Sequence, residues 1–136
     1  ENRLDWQVNY LEKHPDFDAV CATYSTMNSK GQVLSQFQAD NTEQDISSEL
    51  LSGIIRTSFC TYLTRRQTLI ELRGYRTFFT SAYDLDLQLR MAEKHHIYYL
   101  PHNAYFYRLH DSSITHTQPS NQRIFFEESI TYMLHL

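Results

Sequence analysis

Apolar and polar positions recur along this chain with two different periods, and together they predict an alternation of helices and strands. Leu4, Val8 and Leu11, joined by Trp6 and Tyr10, repeat at helix spacing over Asn2–Lys13, and His14-Pro15 stops the run. Ala19–Thr26 contains Val20-Cys21-Ala22 and Tyr24 and is apolar enough for a buried strand. A Ser29-Lys30-Gly31 turn leads to a more polar strand, Gln32–Gln38, with Val33 and Phe37 as its apolar positions, so this hairpin is expected to be partly exposed. Ala39–Asp45 reads as a polar loop, and Ile46–Gly53 as a short helix closed by Gly53. Ile54–Thr64 reads as extended chain ending at Arg65-Arg66. Thr68–Leu72 predicts a helical turn before Gly74, a residue suited to a tight or left-handed backbone.

The second half repeats the alternation. Leu85, Leu89 and Ala92 at i, i+4 and i+7 predict a helix over Ala82–Lys94 with those residues as its inner stripe. Ile97–Leu100 and Ala104–Arg108, dense in Tyr and Phe, predict two short strands around Pro101-His102-Asn103. His110–Gln118 reads as a polar lid, and Pro119 as the start of a closing helix over Asn121–Leu136. The fold class is therefore α/β, a mixed sheet flanked by helices, in a single unit over residues 1–136. With three Gly and three Pro, and no repeat or low-complexity run, nothing in the chain reads as a flexible tether.

Composition narrows the function classes. Charged residues are 21% and aromatics 14%, a globular balance, and the formal net charge of −4 argues against nucleic-acid binding through a basic face. Phosphate binding, if it occurs, must be local. Cys21 and Cys60 each lie in an apolar run without a second Cys or His at ligand spacing, which predicts reduced core residues of a cytoplasmic protein. No apolar run approaches the length of a membrane span.

Candidate chemistry concentrates in Ser81–Arg90 and in Tyr107-Arg108-Leu109-His110 with Ser113. Asp84 and Asp86 lie about 200° apart around a helix axis, so they do not aim at one small site. Asp86 has Arg90 at i+4 and is expected to form an ordinary solvated ion pair, which leaves Asp84 as the carboxylate available for chemistry. Against this stands a plain reading, in which both acids complement the positive helix end after a Ser81 or Thr80 cap. Arg108 and His110 likewise read in isolation as the wet face of a strand, and the other histidines, His95 and His96 included, as surface residues. Asp16-Phe17-Asp18 is a literal Asp-x-Asp, but it falls where a helix turns into a strand and reads as turn chemistry.

The ordered set Tyr83-Asp84-Leu85-Asp86-Leu87-Gln88-Leu89-Arg90, Ile97–Pro101, and Tyr107-Arg108-Leu109-His110-Asp111-Ser112-Ser113 resembles the C-terminal half of family 2 glycosyltransferases of the GT-A fold. Asn2-Arg3-Leu4 with Gln7, and Leu72-Arg73-Gly74-Tyr75, extend the resemblance from Asn2 to about Thr115. Tyr83 departs from the family, which usually has Glu there, and Arg73 stands where it has Gly. The resemblance implies a partial GT-A domain lacking its nucleotide-binding half, with Glu1 opening a fragment of a longer protein and the metal-holding Asp-x-Asp lying upstream. It implies Asp84 as the base of an inverting transferase, and Arg108, Ser113 and Asp86 at the substrate or diphosphate. His110 would meet a divalent metal, Mn or Mg, or the phosphates, and Thr115 would assist Ser113. The implied partners are a nucleotide sugar and a saccharide or lipid-linked acceptor, as in bacterial polysaccharide or glycoconjugate synthesis at the inner face of the membrane. The fragment alone is expected to be inactive and to expose a face able to self-associate.

Two other readings compete. One is a non-catalytic saccharide- or protein-binding module built on the aromatic strands. The other, metal-dependent hydrolysis by Asp84 and His110, is weaker because no further acids cluster at ligand spacing. The chain carries no His-Glu-x-x-His, Cys-x-x-Cys, nucleotide-binding Gly-rich loop or Ser nucleophile elbow.

Overall fold

A computed structural model of the chain describes residues 2–37, 42–77, 79 and 82–112. Helix α1 (Arg3–Lys13) leads into strand β1 (Ala19–Met27), which turns back as β2 (Val33–Phe37). The two-residue strand β3 (Gln44–Asp45), helix α2 (Ser47–Leu51), a 3-10 turn at Phe59–Thr61, the two-residue strand β4 (Leu63–Thr64) and helix α3 (Arg66–Glu71) follow. Helix α4 (Tyr83–Lys94) and strand β5 (Ile97–Arg108) close the described part.

The sheet is mixed, in the order β2-β1-β5-β3, with β4 also pairing β1. β1 and β5 are parallel from Ala19↔Ile97 to Met27↔Arg108, while β2, β4 and β3 pair antiparallel. Helices cover both faces of the central pair, as a parallel pair requires. Ala19, Cys21, Ile97 and Tyr99 pack against Ile46 and Leu50 and against Leu87, Met91 and Ala92 of α4. Val20 and Leu100 point the other way, onto Leu11 with Trp6 and Tyr10 of α1. The alternation along β1 thus sorts one strand between two cores.

Four local expectations are corrected. Pro101 does not divide β5: Ala22 pairs Leu100 and Thr23 pairs Asn103, so Pro101 and His102 are stepped over as an irregularity and the strand runs on to Arg108. Ile54–Thr64 is not extended throughout. β4 takes the first residues of β1 and β2 the last, and in the gap between them the Ala22 N–H donates to Thr61 Oγ1 (3.3 Å) while the Ala22 carbonyl accepts from Thr57 Oγ1. Two threonine hydroxyls thereby replace a ladder partner. Gln44 and Asp45, read as loop, form β3. On α4, Leu85, Leu89 and Ala92 are buried as expected, but Leu87 and Met91 are buried too and join the sheet core together with Ala92.

Polar ties hold the start of the sheet. Asp18 accepts from the His96 N–H (2.9 Å) and the Thr68 hydroxyl (3.3 Å) and lies 3.2 Å from His95 Nδ1. His95 is therefore no free surface residue, and Asp18 serves the turn, as its position before β1 suggests. Arg65 donates from Nε to the Phe17 carbonyl and from Nη2 to the Leu11 carbonyl, pinning the end of α1. Arg56 pairs with Glu49 and stands 5.7 Å above the Tyr99 ring. Cys21 is buried and Cys60 half-buried, both as free thiols. No described helix is long and apolar enough to cross a membrane.

Candidate functional site around Asp84

Helix α4 starts abruptly. Its N-cap, Ala82, is left-handed at φ 57°, a conformation costly for a residue with a Cβ, and no side chain among the described residues caps the helix; Ser81 and Thr80 lie outside them. α3 ends on a second such feature, with Arg73 at φ 60° and Gly74 at φ 63°. The glycine takes the left-handed backbone foreseen for it; for Arg73 the same conformation is strained.

This turn exists around Asp86. The Asp86 side chain is fully buried and meets Arg90 at 2.8–2.9 Å and Arg76 at 3.4 Å. Arg90 spends its other nitrogens on the carbonyls of Leu72 (2.7 Å) and Gly74 (2.8 Å). The left-handed pair Arg73-Gly74 lies between those carbonyls in the chain, so one guanidinium ties the loop after α3 to the first turns of α4. The expected ion pair forms, but it is buried and not solvated, which is the correction. Asp86 is thereby committed to holding this turn.

Asp84, two residues earlier, is partly exposed, and its Oδ1 accepts from the Leu85 N–H at 3.0 Å. Its charge reaches two groups that the sequence did not connect with it. The Tyr75 hydroxyl is pushed above its ordinary pKa by burial, then by Asp84 and Tyr83. The Cys60 thiol is also raised, by burial first and by Asp84 last, although Ser58 and Arg3 pull it down. Tyr75 stands edge-on to Tyr83 with centroids 5.2 Å apart and to Phe59 at 6.5 Å. Asp84 thus stands beside a short aromatic wall and a half-buried thiol. Tyr75 follows directly on Gly74, and an exposed aromatic after a turn glycine was the one signal that would have marked it.

The other expected site residues lie on β5 and in the chain that follows it. Arg108, exposed at the end of β5, donates from Nη1 to the carbonyls of Asn28 (3.2 Å) and Ser29 (2.8 Å), stitching β5 to the turn between β1 and β2. A guanidinium has five donors, and those of Nη2 and Nε are not used in that stitch. His110 is exposed, with Nδ1 3.0 Å from Ser112 Oγ. Ser113 and Thr115 lie outside the described residues, as do most of the expected lid and the closing helix Asn121–Leu136. Tyr24 of β1 lies 6.3 Å from Tyr107, the neighbour of Arg108.

Among the described residues, no three His, Cys, Asp or Glu side chains converge as a metal set. No protein-family model matches the chain. A search of curated proteins likewise finds no match.

Proposed function

We propose that this chain is the acceptor-side part of an inverting glycosyltransferase, in which Asp84 removes the proton from an acceptor hydroxyl. The observation that carries the reading is Asp84 itself: a partly buried carboxylate in the first turn of α4, with one oxygen held by the Leu85 N–H and an aromatic wall of Tyr75, Tyr83 and Phe59 beside it. Aromatic faces suit the C–H faces of a sugar ring, and a carboxylate at hydrogen-bond distance from its hydroxyl is what general-base catalysis requires. The order and spacing of the motifs that resemble family 2 glycosyltransferases support the same reading.

In the reaction, the acceptor oxygen bonds to the anomeric carbon on the face opposite the leaving group. Its proton passes to Asp84, and the bond to the nucleotide diphosphate breaks with its electron pair leaving on the phosphate oxygen. Asp86 acts at one remove: held by Arg90 and Arg76, it fixes the helix turn that presents Asp84. The donors of Arg108 not spent on Asn28 and Ser29 supply positive charge for the departing diphosphate.

The test is transfer from a panel of nucleotide-diphosphate sugars by a protein that carries this chain, with Asp84→Asn as the variant. Turnover is expected to fall by at least about 10²–10⁴-fold, with melting temperature and nucleotide-sugar binding kept. Retained turnover removes Asp84 from the base role and returns the chain to the module reading.

A further inference from the structure

We propose that the cleft between α1 and the outer half of β5 binds a neutral saccharide. The cleft measures about 920 Å³ and is formed by the N-terminal turns of α1, by Glu43, and by the stretch of β5 from Leu100 to Phe106. Asp84 does not line it, so the proposal stands or falls apart from the transferase reading.

The wall chemistry selects the ligand. Trp6, Tyr10 and Phe106 supply aromatic surface. Trp6 is held edge-on by His102 with centroids 5.5 Å apart, whereas Tyr10 is already stacked on Tyr98 at 5.3 Å and on His14 at 4.1 Å, which leaves Trp6 and Phe106 as the open aromatic surfaces. Between them stand the amides of Asn9 and Asn103, each carrying both donor and acceptor, and the acceptor carboxylates of Asp5 and Glu43. Vicinal hydroxyls, which donate and accept at once, match that set. Phosphate does not: two carboxylates face one cation, Arg3, whose Nη1 is already committed to the Cys60 carbonyl at 2.7 Å. A small ligand with an apolar face, a ring of hydroxyls and no negative charge is what remains.

Trp6 is the only tryptophan in the chain, so its fluorescence reports on this cleft alone. Titrating the 136-residue chain with neutral trisaccharides built on glucose, galactose or N-acetylglucosamine is expected to give a saturable change with at least one of them, and none with inorganic phosphate. Asn9→Ala and Asn103→Ala alter exposed side chains and are expected to fold as the parent does, checked by melting temperature, and each to weaken binding about tenfold. Asp84→Asn is expected to bind as the parent does. The assignment is overturned if no trisaccharide saturates, if phosphate competes, if both Asn variants bind normally, or if Asp84→Asn loses binding. A saccharide site in this cleft leaves the transferase reading to be decided by the turnover of Asp84→Asn.

Discussion

The inner and outer halves of the β1–β5 pair are built from the same two parallel strands on opposite terms. In the inner half, Ala19–Ala22 against Ile97–Leu100, seven of the eight residues are buried, Tyr98 being half-buried. Asp18, Glu49 and Arg56 secure its margins with ion pairs and main-chain hydrogen bonds. In the outer half, from Thr23↔Asn103 to Met27↔Arg108, β5 exposes His102, Asn103, Tyr105, Phe106 and Arg108. Asp84 belongs with this half: α4 ends at the inner margin, where His95 meets Asp18, so its first turn lies a helix length away, about 18 Å. The contrast teaches where ligand chemistry is available. The inner half has its polar groups committed to the fold, whereas the outer half presents aromatic and amide side chains at the carboxyl ends of parallel strands, where α/β sheets bind ligands.

The largest expected loss comes from removing the anchor that ties the loop after α3 to α4, the helix that carries Asp84. Asp86→Ala leaves the largely buried Arg90 without its carboxylate, which is expected to cost about 3–5 kcal/mol and to lower the melting temperature by roughly 10 °C or more. Asp86→Asn, which keeps the shape and an acceptor for Arg90, should lose less. Thermal unfolding followed by circular dichroism reads both, and an unchanged midpoint for the alanine variant would mean that the pair is solvated after all. Next in size is Thr61→Val, close to isosteric at a fully buried position. It strips the Ala22 N–H of its acceptor and is expected to cost about 1–3 kcal/mol, read as a lower urea midpoint at unchanged slope. No change would mean that the gap between β4 and β2 admits water.

The fold was largely legible wherever one period dominated. α1 and α4 follow as helices from apolar spacing, although Leu4 and Val8 of the α1 stripe are exposed and Gln7 is buried beside Leu11, and β1 follows from the run Val20-Cys21-Ala22. What escaped depended on partners distant in sequence. Pro101 looked like a strand break because its missing N–H is a local property, whereas the step in register that accommodates it belongs to the pairing with Ala22 and Thr23. Thr57 and Thr61 looked like strand residues because hydroxyls that substitute for a ladder are indistinguishable in sequence from β-branched residues within one. Asp86 looked solvated because its i+4 partner is visible in the sequence and its burial is not; that burial comes from Arg76 and from the loop carbonyls that Arg90 reaches. Of the candidate site, Asp84 was marked by its place on the helix, while Tyr75 and Cys60 reach it only through the turn at Gly74 and the 3-10 turn at Phe59–Thr61.

Acid gives the smallest effect and sharpens the comparison, because Glu49 and Asp45, two carboxyl groups held below their ordinary values, both serve the inner half. Glu49 is held below its ordinary pKa by hydrogen bonds from Arg56, against the opposing effect of burial, with further help from the Arg56 charge and from Gln44. For Asp45, burial pushes the carboxyl up, but the Ser47 N–H at 2.9 Å, the Ser47 hydroxyl and His96 together outweigh it, so the net shift is downward. A carboxyl whose folded pKa lies below its unfolded value binds fewer protons when folded, so it adds stability above the unfolded pKa and loses that contribution as pH falls through the folded one. With ordinary values of 4.5 for Glu49 and 3.8 for Asp45, their combined contribution is complete above about pH 5 and declines below about pH 4. Glu49→Gln should flatten the decline while leaving Trp6 fluorescence in the outer cleft unchanged at neutral pH. An equally steep acid loss in that variant would take the Glu49–Arg56 pair out of the account of why the inner half stays closed.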